Sequence, residues 1–294
     1  MVVQLYQFYG RSFYVKREDL LHPVLGGNKF RKAWFLLFKT HPIAKIVSYG
    51  SLHSNAMAAL AWIALQKGWE FEYYAPLDQK LLQCPKGNLA KALQWGMILK
   101  EKKEWPYGGN LGVRSELEYI NGTYIIPEGL RLKEAQEGVA ILAKEIVDWA
   151  KKERKSPTVF LPSGTGTTAL FLQKYLPFRV YTTPCVGDEA YLWEQFEALD
   201  PTAPKPAILS PPKKYRFGRL YPELFALWQE LKTQMRVTFD LLYDPVGFAT
   251  LLHHDLLNEN LLYIHQGGIM GNETMIERYK AKLDKIAKTN KGAI

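Results

Sequence analysis

The sequence predicts an α/β fold made of two blocks of alternating strands and helices. Two observations carry that prediction. Short β-branched or aromatic runs alternate with helical segments, the pattern of open α/β sheets. The alternation also falls into two groups, one over residues 42–122 and one from residue 123 onward. At 294 residues, the chain can give a substantial core to one large domain or to two smaller ones.

Taken in order, KIVSYG at 45–50 is a β-branched run closed by glycine and reads as a strand. The alanine-rich stretch 54–67 follows as a helix, since alanine loses no side-chain entropy there. Residues 70–76 are aromatic, end in proline and give a second strand; 86–96 form a second helix and 97–100 a short third strand. The second block opens with TYIIP at 123–127, a strand, and a long helix over 134–152. A strand at 158–162, a helix at 167–176 and a strand at 179–184 come next. The last elements are a helix over 221–233, a strand over 238–243, a helix over 250–258 and a strand over 261–265. Residues 200–213 contain Pro201, Pro204, Pro206, Pro211 and Pro212, so they read as a stiff connecting loop. The first 41 residues have no strand partner of their own nearby and are expected to pack on the second block. The expected division is therefore 1–41 with 123–294 as a larger domain and 42–122 as a smaller one.

Composition narrows the function classes. The hydrophobic fraction of 47% and charged fraction of 23% are those of an ordinary soluble globular protein. Cys84 and Cys185 are the only cysteines, too few for a disulfide framework, so a cytoplasmic location is expected. No cationic-then-apolar leader opens the chain and no apolar run reaches the ~18 residues of a membrane span; no membrane partner is expected. Of the formal charge of +9, Lys280, Lys282, Lys285, Lys288 and Lys291, less Asp284, put +4 in the last fifteen residues. A lysine-rich terminal helix is usually a solvated face. Positive potential also attracts anionic cofactors and amino-acid carboxylates, and the motifs call for neither nucleic acid nor a metal.

Lys29 stands in Gly26-Gly27-Asn28-Lys29-Phe30-Arg31-Lys32, shortly after Lys16-Arg17-Glu18-Asp19-Leu20. The paired glycines remove side chains and would let a flat ligand approach. A lysine amine that loses its proton can form a Schiff base with an aldehyde, as in pyridoxal phosphate (PLP) chemistry. The bland alternative is a simple turn with a solvated lysine.

Phe160-Leu161-Pro162-Ser163-Gly164-Thr165-Gly166-Thr167-Thr168-Ala169 joins a strand to a helix through a Gly/Ser/Thr turn. Free backbone N–H groups and the positive helix end make such a turn an anion site. It lacks the Gly-Lys-[Ser/Thr] ending of a triphosphate loop. Gly164-x-Gly166-x-x-Ala169 matches the loose dinucleotide fingerprint, but the next strand, RVYTTP, ends without the acid that holds a ribose. A single phosphate fits better than a dinucleotide, and a dinucleotide-binding oxidoreductase is disfavoured. In the other block, Ser48-Tyr49-Gly50-Ser51-Leu52-His53-Ser54-Asn55-Ala56 makes a similar turn. Ser51, Ser54 and Asn55 could hold a substrate carboxylate, or act as a plain helix cap. Ile264-His265-Gln266-Gly267-Gly268 would let backbone pass close to a planar ligand with the Gln266 amide facing it.

Together these segments resemble the fold-type-II PLP enzymes, and specifically the 1-aminocyclopropane-1-carboxylate deaminase / D-cysteine desulfhydrase family. That family carries Arg-(Glu/Asp)-Asp-Leu, Gly-Gly-Asn-Lys-x-Arg-Lys, Gln-Ser-Asn-His, Ser-Gly-x-Gly-Thr and His-Thr-Gly-Gly. Here the matching segments are Arg17–Leu20, Gly26–Lys32, His53–Ala56, Ser163–Thr167 and His265–Gly268, in the same order along nearly the whole chain. The resemblance implies two open twisted αβα domains of the tryptophan-synthase-β type, with PLP in the cleft between them, and a homodimer. It implies an imine between Lys29 and PLP, with Asn28 beside it and Asn55 on the ring 3′-oxygen. Ser163, Gly164, Thr165, Gly166 and Thr167 would take the phosphate, and Gln266 would lie near the pyridine nitrogen. Ser51, Ser54, Asn55 and Phe217 would face substrate, with Ser54 joining Lys29 as catalytic.

Departures from the family shape the expected reaction. His53 and Ala56 replace the ends of Gln-Ser-Asn-His, and Gln266 replaces threonine. Phe217-Gly218 stands for the family's Tyr-Gly, so a phenol that could act on substrate is absent unless Tyr215 or Tyr221 substitutes. Asp244-Pro245-Val246 matches, but Gly247-Phe248 follows where the deaminases carry a tyrosine and an acid. Cyclopropane opening depends most on those groups. The expected activity is a PLP-dependent α,β-elimination of D-cysteine desulfhydrase type on a small amino acid, giving a keto acid and ammonia. The alternatives are a true 1-aminocyclopropane-1-carboxylate deaminase, a β-replacement enzyme and a non-catalytic PLP-binding protein.

Overall fold

The structure, a computed structural model, describes residues 2–108, 111 and 115–291, and side chains up to residue 284. A hairpin opens it, β1 (Val3–Phe8) and β2 (Arg11–Arg17), followed by helices α1 (Gly26–Lys32) and α2 (Trp34–Phe38). Then come β3 (Lys45–Tyr49), α3 (Asn55–Lys67), β4 (Glu70–Ala75), α4 (Gln79–Gln83), α5 (Gly87–Gln94) and β5 (Ile98–Glu101). β6 (Glu118–Ile120), β7 (Thr123–Ile126), α6 (Gln136–Lys152), β8 (Thr158–Ser163), α7 (Thr167–Tyr175), β9 (Val180–Pro184) and α8 (Glu189–Leu199) continue the chain. β10 (Ala207–Ile208), α9 (Pro222–Met235), α10 (Asp244–His253), β11 (Leu261–His265) and α11 (Asn272–Lys291) complete it.

Two open sheets result, with strand orders β5-β4-β3-β7-β6 and β1-β2-β11-β8-β9-β10. All pairs are parallel except β6–β7 and β1–β2, each at a sheet edge. Parallel strands covered by helices on both faces must be apolar on both. β11 obeys this rule, with Leu262 and Ile264 in the core under α6 and α7, and Leu261 and Tyr263 in the core under α9 and α10.

Several expectations are corrected. The N-terminal segment does have a strand partner: β1 and β2 pair with each other, and β2 then adds to β11. α1 and α2 touch both halves of the molecule. α1 packs on α6, while Leu25, Phe35 and Leu36 enter the core of the five-stranded sheet. The proline-rich loop contains the short strand β10. The helix expected over 250–258 begins at Asp244, with Pro245 in its first turn where a missing N–H costs nothing.

Residues 238–243 are not a strand. Their backbone is satisfied by side chains instead. The Phe239 carbonyl accepts from Trp228 Nε1 and Asn272 Nδ2, both at 2.8 Å. The Leu241 N–H donates to Asn272 Oδ1 at 2.7 Å, and the Asp240 N–H to Asp244 Oδ2 at 2.8 Å. Among the described residues no helix is long and apolar enough to cross a membrane. Cys84 and Cys185 are unpaired. Of the tail lysines, Lys282 donates to the Leu220 carbonyl at 2.7 Å; the Lys285, Lys288 and Lys291 side chains lie outside the described residues.

A buried ion cluster holds α1 in place. Glu18 accepts from Arg31 Nε at 2.8 Å and from Lys16. Glu145 of α6 accepts from Arg31 at 2.8 Å and from Lys16 at 3.0 Å. The Lys16, Glu18 and Arg31 side chains are only 2% exposed, so each charge depends on the others. Burial alone would raise the Glu18 pKa, but Arg31 and Lys16 outweigh it and hold the carboxyl below its ordinary value. A carboxylate depressed on folding stabilises the protein above its unfolded pKa, near 4.5, and that contribution is lost as pH falls below it. Glu18→Gln is expected to cost about 3–5 kcal/mol at neutral pH. Urea denaturation should show the gap to wild type narrowing as the pH drops below 4.5.

Candidate active site

Three parallel strands end on one cavity of about 290 Å³, near the small end of the ~300–1,000 Å³ range of ligand sites. They are β3 from one sheet and β8 and β11 from the other, and carboxyl ends of strands are where α/β sheets bind ligands. α1 brings Asn28 and Lys29 to the cavity, and the β3–α3 turn brings Ser51, Ser54 and Asn55. Ser163 through Thr167 enter after β8, Gln266 after β11, and Phe217 from the loop before α9. Every site residue read from the sequence lines this one space.

Lys29 is half-buried, in a helix rather than a turn. Burial pushes its amine down to about 8, partly offset by the charge of Asp240. The flanking glycines make room for protein, not ligand. A Cβ at Gly27 would overlap Glu18, and one at Gly26 would stand 3.1 Å from the Gly268 nitrogen. Asn28 is tied on both sides: its N–H donates to the Gln266 carbonyl at 3.0 Å, and its Oδ1 accepts from Thr168 Oγ1 at 2.9 Å.

The Ser163–Thr167 turn leads into α7 with Gly166 at φ 70°, a left-handed cap without a side-chain acceptor on the first amides. Those amides are free to face an anion. Thr165 and Thr167 hydroxyls lie 3.2 Å apart, whereas the Ser163 hydroxyl already accepts from Thr182 Oγ1 at 2.6 Å. Ser54 caps α3, accepting from the Ala56 and Met57 N–H groups at 3.1 and 3.3 Å. Asn55 Oδ1 accepts from Asn88 at 2.8 Å, and its amide hydrogen-bonds Asp240. The Gln266 amide nitrogen does not face the cavity as expected; it donates to the Pro162 carbonyl at 2.7 Å.

Other lining residues escaped the sequence reading. Lys32 is buried and lines the cavity with Lys29. Its amine donates to the Gly129 carbonyl, and a Cβ on Gly129 would be 3.2 Å from Thr165. Among the described residues Lys32 has no carboxylate partner, and burial, Lys29 and Arg131 push its pKa well below the ordinary value. Helical spacing from Lys29 was the missed signal, since residues three apart share a face. Tyr191 and Tyr243 supply phenols to the cavity, whereas Tyr215 and Tyr221, the substitutes weighed from the sequence, are not among its lining residues. Asp240 and Asp244 also line it; both were hidden inside or beside the strand expected at 238–243.

No family model matches the sequence. A Thermotoga maritima protein described as "Putative 1-aminocyclopropane-1-carboxylate deaminase" is 27% identical over 191 residues, 63% of this chain and 60% of that protein. The match thus spans less than two thirds of the relative. A crystal structure of an ACC deaminase homologue superposes with a TM-score of 0.74 at 20% identity, covering 95% of this chain and 93% of that one. A hydrogen sulfide-producing enzyme from Fusobacterium nucleatum gives 0.60 at 12% identity, covering 90% and 93%. These likenesses establish the fold as that of the type II PLP enzymes, the family the motifs resemble.

A Cβ on Gly166 would overlap the Phe196 ring, while Gly122 has the same positive φ with open space around it. Gly166→Ala should therefore lose more than the ~1–3 kcal/mol of backbone strain that limits Gly122→Ala. Thermal denaturation compares the two, and only the Gly166 variant should also weaken binding of inorganic phosphate.

Proposed function

We propose that this chain is a PLP-dependent lyase for a small amino acid, catalysing an α,β-elimination of D-cysteine desulfhydrase type. The balanced reaction is D-cysteine plus water to pyruvate, hydrogen sulfide and ammonia. One observation carries the reading: a half-buried lysine amine lowered to about 8 shares a single cavity with an uncapped anion-binding turn. The residues present fit PLP. Lys29 offers an amine for its aldehyde, and the Ser163–Thr167 amides with Lys32 offer donors for its phosphate. A bound dianion would give Lys32 the counter-charge that its present surroundings lack.

When bound, PLP supplies an electron sink for negative charge developing at a substrate Cα. Lys29 takes up the Cα proton and holds it. Ser51 orients the substrate carboxylate, and the Ser54 hydroxyl fixes the start of α3 beside it by capping the Ala56 and Met57 amides. Tyr243 stays a neutral phenol, since burial and Asp240 push its pKa well up. It stands against Phe217, ring centroids 5.6 Å apart, and can donate a hydrogen bond to a departing thiolate. Cyclopropane opening is the second choice. A Cβ at Gly247 would meet the Tyr263 hydroxyl at 3.1 Å, so this position is packed too closely for the deaminases' tyrosine. The same proposal includes a cytoplasmic homodimer.

The test is purified protein with PLP and a panel of D- and L-amino acids, reading keto acid and sulfide. D-cysteine should give both. PLP uptake without turnover on any substrate would leave only a PLP-binding protein, and no visible lysine-bound PLP band would remove the proposal. Lys29→Ala should abolish band and turnover together. PLP uptake in wild type should quicken as pH rises through about 8, where Lys29 loses its proton, and level off above. Lys32→Met should weaken PLP affinity about ten- to a hundredfold, as expected for losing one charge-assisted hydrogen bond, while the saturated protein keeps its band.

A further inference from the structure

Asp240 enters the steps just described only by keeping Tyr243 neutral, yet it lines the cavity with Lys29 and is 4% exposed. Its Oδ1 is anchored by the Leu242 and Tyr243 N–H groups, each at 2.7 Å. Its Oδ2 faces Gly268, where an added Cβ would stand 3.3 Å away. The same Cβ would meet Asn55 Nδ2 at 2.7 Å, so the carboxylate and the Asn55 amide converge there and hydrogen-bond each other.

The titratable groups facing Asp240 are Lys29, Tyr243, Asp244, Cys185 and Tyr263. Lys29 is the cation of this set. Behind Asp240, Asp244 accepts the Asp240 N–H at 2.8 Å and the Tyr263 hydroxyl at 2.5 Å. Burial, then the charge of Asp240, push the Asp244 pKa well up, while burial takes Asp240 only to about 6. Both adjacent carboxyls are pushed up by burial, Asp244 further than Asp240, so Asp240 gives up its proton first. At neutral pH Asp240 carries a charge, in the cavity that it lines with Lys29.

We propose that Asp240 is a positioning residue that sets the protonation of Lys29 and orients the Asn55 amide beside it. This rests on Lys29 being the reactive amine of the proposed function. A carboxylate facing the amine keeps more of it protonated, restraining its reactivity until a ligand separates or replaces the pair.

The test uses PLP-free protein. Competitive acetylation read by mass spectrometry gives the titration midpoint of Lys29 in wild type and in Asp240→Asn, whose amide oxygen can still accept from Leu242 and Tyr243. The midpoint should fall by about one unit, giving roughly tenfold more free amine at neutral pH. An unchanged or higher midpoint in a variant with native near-ultraviolet dichroism overturns the proposal. If Asp240→Asn does not fold, Lys29→Met supplies the reciprocal. Asp240, followed by carbon-13 aspartate NMR, should then titrate higher than in wild type, and an unmoved titration is equally fatal. A chain that shows this coupling but never takes up PLP would sink the lyase reading alone. PLP uptake with no coupling would sink only the role of Asp240.

Discussion

Lys29 is positioned by charges that never reach the cavity. Arg31, two residues along α1, is clamped between Glu18 beside β2 and Glu145 of α6. Lys16 closes the same cluster from below. Four charges of zero net sum can be buried only if each finds its partners, so the geometry admits little slack. Gly27 belongs to this constraint, because any side chain there would displace Glu18. The hairpin β1–β2, the helix α1 and the long helix α6 are thus welded at one point, and the lysine projects from that weld. A buried network of this kind adds little net stability over apolar packing, but it specifies one arrangement.

A second constraint acts from the opposite wall. The segment between α9 and α10 runs beside β11 without joining the sheet. His265 helps to hold it, its Nε2 donating to the Thr238 carbonyl at 3.0 Å while its Nδ1 accepts from the Gly267 N–H at 3.3 Å. One donor and one acceptor are what a neutral imidazole offers, and burial keeps the ring neutral by pushing its pKa down to about 4. The histidine of the His-Gln-Gly-Gly motif is therefore a connector between β11 and the segment bearing Asp240. Gly267 and Gly268 let Gly26 and Asn55 come close to that corner, so the motif is explained by protein packing before any ligand is considered.

The sequence made the strands of the open sheets legible because β3, β4, β8, β9 and β11 are short, apolar and bounded by turn residues. It made the cavity legible because three strand ends carried Gly, Ser, Thr and Asn together. It hid what depended on distant partners. FDLLYD at 239–244 has strand-like composition, and only Trp228, Asn272 and Asp244 make an irregular path cheaper for its backbone. The hairpin was missed because β1 is an exposed edge, with Leu5 53% exposed, and shows little burial pattern. Lys32 was missed because the glycine pair suggested a turn, whereas α1 turns its lysines toward one side.

These two constraints give the cavity a direction. On one side lie Lys32, the free amides at the start of α7 and the hydroxyls of Thr165 and Thr167, all suited to an anion. On the other lies Asp240, whose charge partly offsets the effect of burial on Lys29, with Asp244 accepting its N–H. A ligand that carries an anionic group at one end and a proton-sharing group near its reactive carbon would meet complementary charge at both. A uniformly anionic ligand would be repelled by Asp240, and a uniformly cationic one by Lys32 and the helix end. The overall positive charge of the chain cannot provide such discrimination, because it has a sign but no direction; a cavity lined by both Lys32 and Asp240 does.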